Sequence, residues 1–364
     1  MKFKTQRSRF IEALKSVQNV VAGKGALPVL QNVLIEAAGG EVKMTTTDLD
    51  ISIMTKVECD VGEEGVTTLP VRLLFNSFST APDGDVEVEV DAADKATIRA
   101  GKACYRLTGL PEKEFPKLPK DEGSCEYKIP QDMLKEMLRK TSYAASQDDT
   151  RRTLKGVLMS FKDSKLTMVA TDGRRLAMTE SEVEFPQNAE KDIVLPYKAV
   201  VELQRSLEAN GDVIVKVEKS QICFKLKNQV IYSKLIDDVY PNYQQVIPKS
   251  VREKIKVDRQ QLLDAIGRAS VMTLDEAHSI KFVFEGNRLL VTSASNDVGE
   301  SKDEVEIKYV GENIEIMFNP NYVIDPLKAM DEDEICIELN DGHSPAIIRS
   351  EKPFIYVLMP LRIS

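Results

Sequence analysis

Three aspartates recur at nearly equal intervals along the chain, and they are the first residues whose chemistry has to be decided. They stand in the pairs Thr47-Asp48, Thr171-Asp172 and Asn296-Asp297. Carboxylates that act together as catalytic acid and base must lie within several ångströms of each other, whereas equivalent positions of repeated units lie far apart. Asp is also typical of turns, where its carboxylate accepts hydrogen bonds from nearby backbone N–H groups. The pattern therefore predicts three turns rather than a catalytic site.

The other motifs for chemistry are incomplete. The helicase-like sequence Asp275-Glu276-Ala277-His278 has no phosphate-binding Gly-x-x-x-x-Gly-Lys-Ser/Thr loop before it. The two histidines, His278 and His343, belong to no His/Cys cluster with the spacing of metal ligands. The acidic tract 331–334 lacks the Gly and the terminal Glu of a calcium loop, which is typical of a solvated turn. We predict no catalytic residue, no metal and no cofactor, and a binding or scaffold role instead of an enzyme.

The elements that position these residues repeat three times. One apolar residue is followed by others seven and eleven positions later, the spacing of a strand end that leads into a helix with one buried stripe. The three sets are Phe3, Phe10 and Leu14; Tyr127, Leu134 and Leu138; and Ile255, Leu262 and Ile266.

The same order of signals continues after each of these helices. A second helix is predicted to begin at Leu69-Pro70, Leu195-Pro196 and Phe318-Asn319. A strand follows it in each copy, with apolar residues at every second position from Val86, Val213 and Ile335. Further matches are Val33, Val157 and Val283, and the aromatic residues Tyr105, Tyr232 and Tyr356. So many matches in one order predict three copies of one domain.

The predicted fold class is α+β, with two helices packed on one face of an antiparallel sheet in each copy. We predict domains at residues 1–122, 123–250 and 251–364. The boundaries fall at proline-containing crossings around Phe115-Pro116 and Tyr240-Pro241, because proline disfavours helix there. Both crossings are too short and too apolar for flexible linkers, so we expect domains fixed end to end.

Composition is that of an ordinary globular protein. The 364 residues are 42% hydrophobic and 29% charged. No apolar run reaches the roughly 18 residues of a membrane span, and the start of the chain does not read as a secretory signal. The five cysteines form no Cys-x-x-Cys motif and are predicted to be isolated thiols in a reducing compartment. These features predict a cytoplasmic location.

The net charge of −9 hides a segregation of charges along the chain. Acidic residues collect on predicted strands and turns, in the ranges 83–94, 180–184, 300–306 and 331–334. The predicted helices are basic, through Arg7, Arg9, Lys15, Lys135, Arg139, Lys140, Lys198, Arg205, Arg259, Arg268 and Lys328. The recurrence in three copies favours a common basic surface, although exposed helices often carry Lys and Arg in any case.

Two segments resemble a known family. Val169–Ala177 (VATDGRRLA) and the ending Tyr356–Ile363 (YVLMPLRI) closely resemble the bacterial DNA polymerase III β subunit family of sliding clamps. The resemblance extends over the whole chain, including Leu27–Leu30 and Tyr240–Tyr243. It implies a head-to-tail dimer whose six domains form a ring around duplex DNA.

The resemblance also implies partners and a mechanism. Basic helices inside the ring would contact phosphates irrespective of base sequence, so the protein could slide while the ring keeps it on DNA. The implied partners are duplex DNA, the catalytic subunit of the replicative polymerase, an ATP-dependent clamp loader, a second copy of this chain, and other DNA polymerases and repair proteins that bind through a linear peptide.

Three sets of site residues follow from the resemblance. The DNA-contact set is Lys24, Arg72, Gln147, Arg151, Arg152 and Lys198. The partner-peptide pocket is Leu154, Thr171, Gly173, Arg174, Arg175, Leu176, Pro241, Val246, Val357, Leu358, Met359, Pro360, Leu361 and Arg362. The dimer interface is Arg99, Lys102, Tyr105 and Arg106 on the first domain and Val271, Met272, Glu300, Glu304 and Glu306 on the third.

The residue types suit a peptide pocket. Leu, Val, Met and Pro would form an adaptable apolar floor for Leu or Phe anchors, and Arg174, Arg175 and Arg362 would hold polar or carboxylate groups at the rim. Gln245 replaces an Arg of some relatives, and Ser364 extends past the usual ending, which predicts altered selectivity. Two alternatives remain: a three-repeat peptide-binding scaffold that does not encircle DNA, and a hydrolase with dispersed carboxylates.

Overall fold

The computed structural model describes residues 1–21, 27–118, 125–272, 279–295 and 299–361. These residues form two compact units, Met1–Asp132 with Val201–Leu235 and Met133–Val200 with Ile236–Ser364. The division differs from the three predicted repeats because strands of neighbouring repeats share one sheet in each unit.

Six α-helices lie in the described part of the chain: α1 (Arg7–Val17), α2 (Val71–Thr80), α3 (Gln131–Thr141), α4 (Tyr197–Ser206), α5 (Arg259–Ser270) and α6 (Pro320–Ala329). Each predicted stripe is the buried face of a helix. Phe10 and Leu14 on α1, and Leu262 and Ile266 on α5, are fully buried. None of the helices in these ranges is long and apolar enough to cross a membrane.

The first compact unit contains the strands β1 (Lys2–Gln6), β2 (Asn32–Ala38), β3 (Glu41–Thr47), β4 (Ile51–Glu58), β5 (Asp60–Glu63), β6 (Gly65–Pro70), β7 (Asp85–Val90), β8 (Lys95–Ala100), β9 (Ala103–Thr108) and β10 (Cys125–Pro130). The four strands that follow in the chain lie in the second unit: β11 (Gly156–Lys162), β12 (Lys165–Thr171), β13 (Arg175–Glu182) and β14 (Lys191–Pro196). Three later strands of the second repeat complete the first unit: β15 (Asp212–Val217), β16 (Gln221–Lys225) and β17 (Gln229–Lys234).

The remaining strands of the second unit belong to the third repeat. Its strands are β18 (Glu253–Asp258), β19 (Ile280–Glu285), β20 (Arg288–Ser295), β21 (Gly299–Glu306), β22 (Ile314–Phe318), β23 (Glu334–Leu339), β24 (Ala346–Arg349) and β25 (Phe354–Leu358). These strands pair with the preceding repeat through β13 and β25, and this pairing is antiparallel, as the sequence predicts for an α+β repeat.

Each unit contains one eight-stranded sheet that crosses a repeat boundary. In the first unit the order is β10-β15-β16-β17-β4-β3-β2-β6, and in the second it is β14-β11-β12-β13-β25-β24-β23-β18. The junctions are the antiparallel pairs β4–β17 and β13–β25. In both cases the last strand of one repeat pairs with the fourth strand of the repeat before it. Continuous sheet hydrogen bonding therefore fixes neighbouring repeats to each other within each unit.

The counterparts of these junction strands in the first and third repeats, β9 and β21, each lie at the edge of a sheet. The five-stranded sheet of the first unit has the order β5-β1-β7-β8-β9, so β9 is an edge strand. The four-stranded sheet of the second unit has the order β21-β20-β19-β22, so β21 is an edge strand as well. Strand β9 is the last of the first repeat and β21 is the counterpart of β4 and β13.

The strand register corrects two of the predicted repeat matches. Ile98, Phe224 and Ile348 are equivalent, because they pair with Val88, Val215 and Ile337 of the alternating strands. On the other side of Ile98, Phe224 and Ile348, the paired residues are Tyr105, Ile231 and Tyr356. Tyr232 is therefore one position out of register. Opposite Leu69, Leu195 and Phe318 stand Val33, Val157 and Ile280, so Ile280 takes the place expected for Val283.

Candidate functional site

The second aspartate of the repeated set builds a tight turn that leads into β13. Its Oδ1 accepts hydrogen bonds from the backbone N–H groups of Arg174 (2.8 Å) and Arg175 (3.0 Å). Thr171 closes the turn, because its hydroxyl donates to the carbonyl O of Arg175 at 2.6 Å. Gly173 has a φ of 86°, a conformation that glycine adopts without a Cβ penalty. The turn predicted at Asp172 is confirmed.

The first repeat contains the same turn. Oδ1 of Asp48 accepts hydrogen bonds from Asp50 N (3.0 Å) and Ile51 N (2.8 Å). Leu49 stands where the second repeat has its glycine and has a φ of 79°. The third member, Asp297, lies outside the described residues. A structural role therefore accounts for the two aspartates that the structure describes.

An apolar cluster lies beside the second turn. Leu176 and Val357 face each other across β13 and β25, and each is only 2% exposed. They pack with other buried residues, Leu158, Val169 and Val194. Partly buried side chains cover this cluster: Met178, Ile236, Tyr240, Tyr243, Ile247 and Ile355. Leu176 and Val357 therefore belong to a core that continues towards the surface.

Two large apolar side chains on the segments around this cluster are exposed. Val246 lies between Tyr243 and Ile247 and is 50% exposed, and Met359 directly follows β25 and is 44% exposed. The backbone N–H of Met359 donates to the carbonyl O of Arg174 at 2.9 Å, which holds this methionine at the turn. Buried floor, exposed apolar edges and a polar turn together make a surface suited to a small apolar ligand segment.

Arg175 occupies the interior side of the turn. Its Nε is 3.0 Å from Asp172 Oδ2, its Nη1 is 2.5 Å from Asp325 Oδ2, and its Nη2 is 2.7 Å from the carbonyl O of Tyr143. The side chain is 11% exposed. All three guanidinium nitrogens thus already donate to groups of this chain, whereas Arg174 beside it is exposed. Arg174 is the better rim residue of the two.

Aromatic rings surround the same guanidinium. Its central carbon lies 4.3 Å from the Tyr322 ring centroid and 5.8 Å from that of Tyr143, within the range of cation–π attraction. The Tyr356 hydroxyl donates to the Tyr322 carbonyl O at 2.6 Å. Burial raises the pKa of the Tyr356 hydroxyl far above its ordinary value, so the hydroxyl keeps its proton at neutral pH and can donate this hydrogen bond.

The remaining pocket residues lie on adjoining segments. Leu154 is half-buried, and its carbonyl O accepts a hydrogen bond from Ser146 N at 2.8 Å. Leu358 is buried opposite Arg175, and Pro241 is exposed. Leu361, half-buried like its neighbour Pro360, donates from its N–H to Met317 O at 2.8 Å. Arg362 lies outside the described residues.

Sequence reasoning missed several residues of this site. Tyr240 and Tyr243 cover the apolar cluster, and Tyr322 and Asp325 of α6 contact Arg175. Tyr240 lies in the segment Tyr240–Tyr243 that resembles the family, so the sequence contains a usable signal for it. Asp325 had no signal, since its partner is 150 residues away in the sequence.

The residues predicted to contact DNA are mostly exposed. Arg72 lies on the first turn of α2, Lys198 on α4, and Gln147 and Arg152 on the segment after α3. Arg151 is exposed as well, but its Nη1 also donates to the Asp172 carbonyl O at 3.0 Å and so supports the turn. Lys24 lies outside the described residues.

Part of the basic charge on the helices has partners within the chain. Lys140 is 3.0 Å from Glu136, and Arg205 is 2.6 Å from Glu202. Arg7 pairs with Asp83, Arg139 with Asp331 and Arg268 with Asp303, and Arg139 lowers the pKa of the Asp331 carboxyl. Arg9 and Lys15 are exposed. These ion pairs offset part of the positive charge that the helices would bring to the predicted basic surface.

The residues predicted for the dimer interface lie on or near the two edge strands. Tyr105 and Arg106 belong to β9, and Lys102 directly precedes it. Glu300, Glu304 and Glu306 belong to β21. Arg99 on β8 donates to Glu89 at 2.9 Å. Val271 is 64% exposed at the end of α5, next to the half-buried Met272.

The architecture places the chain in the class of DNA-clamp folds, in which α+β repeats join through continuous antiparallel sheets. Three family models match successive parts of it: the N-terminal domain of the DNA polymerase III beta subunit at residues 1–119, the central domain at 128–242 and the C-terminal domain at 244–362. The chain belongs to the DNA polymerase III beta subunit family, which confirms the resemblance found in its sequence.

Relatives match over the full length. The beta sliding clamps of Chlamydia muridarum and Pseudomonas aeruginosa are each 31% identical to it; the alignments cover 100% of this chain and 99% and 100% of those proteins. A solved P. aeruginosa sliding clamp bound to griselimycin has a TM-score of 0.96 at 31% identity. The Bacillus subtilis sliding clamp has a TM-score of 0.95 at 29% identity, and both structures are covered completely, as is this chain.

Proposed function

We propose that this chain is a non-catalytic sliding clamp: two copies join head to tail, encircle duplex DNA in the cytoplasm and tether a replicative polymerase to it. Family membership supports the general role. The observation that carries the dimer is the pair of unmatched edge strands, β9 and β21. Their counterparts in the other repeats pair with each other, and an unpaired edge presents a row of backbone donors and acceptors to another strand.

The register of the two internal junctions gives the register of the proposed dimer. Ile231 is opposite Ile53, and Tyr356 is opposite Ala177. Tyr105 is the counterpart of Ile231 and Tyr356 in the first repeat. Ser301 is the counterpart of Ile53 and Ala177, because it pairs with Ser293 of β20 in the register in which they pair with Thr46 and Ala170. Tyr105 of one copy would thus stand opposite Ser301 of the other.

This register pairs opposite charges. Counting outwards from Tyr105 and Ser301 in antiparallel fashion places Arg106 opposite Glu300 and Lys102 opposite Glu304. All four side chains are exposed in the single chain. Such complementarity favours head-to-tail pairing over pairing of like edges. The exposed Val271 would add apolar contact next to the strands.

The DNA contact is proposed for the exposed cations Arg72, Arg152 and Lys198, together with Lys24 and the segment from Gln147 to Arg151. Contact through phosphates alone allows movement along any sequence. A ring must open to admit DNA, and the sequence has no phosphate-binding loop of its own. We therefore include an ATP-dependent loader among the partners.

The surface around Leu176, Val357, Val246 and Met359 is proposed to bind linear peptides of the polymerase and of other DNA polymerases and repair proteins. Its buried floor supplies the apolar contact, and its methionine can repack around different anchors. Arg174 at the exposed rim supplies charge for a polar or acidic group of the peptide.

The dimer is tested by Val271→Glu combined with Met272→Glu. We expect wild type to have a mass near twice 40.7 kDa by light scattering, and a scattering curve of a hollow particle. The double variant should be a folded monomer, because two carboxylates in an apolar contact are costly to desolvate. A double variant that remains dimeric at micromolar concentration would refute this interface. A wild type that is monomeric at all concentrations would exclude encirclement and favour the peptide-binding scaffold.

A further inference from the structure

The Arg175 guanidinium joins the turn after β12 to helix α6. It contacts Asp172 of the turn and Asp325 of the helix at 3.0 and 2.5 Å. The same guanidinium lies over the ring of Tyr322, one helical turn before Asp325. A planar guanidinium with several fixed donors can hold two carboxylates in defined directions at once, which a lysine cannot do.

The turn that Arg175 holds is the one that supports the exposed side of the apolar surface. Asp172 Oδ1 orients the N–H groups of Arg174 and Arg175. The Arg174 carbonyl O in turn accepts the Met359 N–H at 2.9 Å. A movement of Asp172 would therefore be passed to Arg174 and to the backbone of Met359.

Burial distinguishes this arginine from a ligand contact. Arg175 is 11% exposed and Asp172 is 15% exposed, while Arg174 and Gly173 are exposed. A peptide on the surface would meet Arg174, Gly173 and Met359, and Arg175 would lie behind them.

We propose that Arg175 and Asp325 are positioning residues that hold the Thr171–Arg174 turn and Met359 in the arrangement that binds a peptide, and that Arg175 does not itself contact the peptide's charge. The inference rests on the peptide-binding role proposed above and changes the role expected for Arg175. It also makes a residue of α6 part of the binding apparatus, at a distance from the apolar floor.

The test uses two labelled synthetic peptides with Leu and Phe anchors, one with an Asp and one with Asn in its place. Affinity for the full-length protein is measured by fluorescence anisotropy well below the melting temperature of every variant. Asp325→Asn and Arg175→Lys should each weaken binding of both peptides equally, by about tenfold, as expected for loss of an indirect coupling. Arg174→Met should weaken mainly the binding of the Asp peptide.

Asp331→Asn is the matched control, because Asp331 is also an ion-paired acid of the same compact unit, with Arg139 as partner. It should leave both affinities unchanged even if it lowers the melting temperature, which separates positioning from general stability. Wild-type affinity in Asp325→Asn would overturn the inference, as would an Arg175→Lys defect confined to the Asp peptide. If wild type binds neither peptide, the peptide-binding function is wrong and the inference falls with it.

Discussion

Two tyrosines near Arg175 have buried hydroxyl groups that differ in one hydrogen bond. The ring centroids of Tyr143 and Tyr356 are 5.9 Å apart. The Tyr356 hydroxyl donates to Tyr322 O, whereas the buried Tyr143 hydroxyl has no hydrogen-bond partner among the described residues. Burial raises the pKa of both hydroxyls, so both are protonated at neutral pH.

Tyr→Phe substitution at these two positions should therefore have opposite consequences. Tyr356→Phe leaves a carbonyl oxygen without its donor and should lower the free energy of unfolding by about 1–2 kcal/mol. Tyr143→Phe removes an unsatisfied hydroxyl and should be neutral within about 0.5 kcal/mol or stabilising. Urea denaturation of the two variants measures the difference directly. Equal losses would show that the Tyr143 hydroxyl has a partner after all.

Residue roles were predictable from the sequence where the interaction is local. The turn at Asp172 follows from two neighbours within three residues. The role of Arg175 was not predictable, because two of its contacts come from Tyr143 and Asp325. A sequence shows that an arginine is present and not whether its donors are already used.

In the first and third repeats, an arginine at the start of one helix is hydrogen-bonded to the end of the other helix. Nε and Nη2 of Arg7, the first residue of α1, donate to the carbonyl oxygens of Phe78 (2.8 Å) and Ser79 (2.7 Å) in the last turn of α2. Arg259 at the start of α5 does the same to Leu327 O of α6 at 3.1 Å. Terminal helix carbonyls have no partner inside their own helix and attract positive charge. The two helices are thereby fixed to each other.

Arg7→Met should destabilise the protein by about 1–3 kcal/mol, because two charge-assisted hydrogen bonds are lost and the carbonyl groups remain partly buried. Arg9→Met, an exposed position on the same helix, is the control and should change stability by less than about 0.5 kcal/mol. Thermal and urea unfolding of both variants provide the comparison. Similar losses in the two would mean that the helix loses charge or propensity rather than these bonds.

Elements were well predicted, and their exact register was not. The stripe on α1 and the alternation in β7 depend on local spacing, and the structure confirms both. The match of Tyr232 to Tyr356 fails by one residue, which in a strand moves a side chain to the other face. Register depends on cross-strand pairing and therefore on residues far away in the sequence.

At the scale of the whole molecule, the proposed dimer register can be measured with a natural cysteine. Cys104 is exposed on the edge strand β9, and the register places it opposite Lys302 of the second copy. Oxidation of the Lys302→Cys variant should give a disulfide-linked dimer, since directly opposed strand residues lie within disulfide distance. Glu300→Cys and Glu304→Cys, two positions away on the same face, should cross-link less.

Cys104→Ser added to Lys302→Cys is the control and should abolish the cross-link on a non-reducing gel. A maximum at Glu300→Cys or Glu304→Cys would move the register by two residues. Absence of a cross-link at all three positions would contradict pairing of β9 with β21.

The three-repeat organisation was predictable, whereas the compact units were not. The predicted boundaries at 122 and 250 remain predictions, although the family models change from one domain to the next near them. The eight-stranded sheets cross these boundaries. Repeats are visible as sequence periodicity, but strand sharing between repeats depends on which edges meet in space.

The two shared sheets have a mechanical consequence for the proposed assembly. A ring of six repeats has six junctions, and the β4–β17 and β13–β25 pairs make two of them within each chain, where the covalent backbone supports them. Only the two remaining junctions depend on protein concentration and on the charges of β9 and β21. A loader that pulls the ring apart would therefore find its weakest links between the copies, and could separate one of them without unfolding either chain.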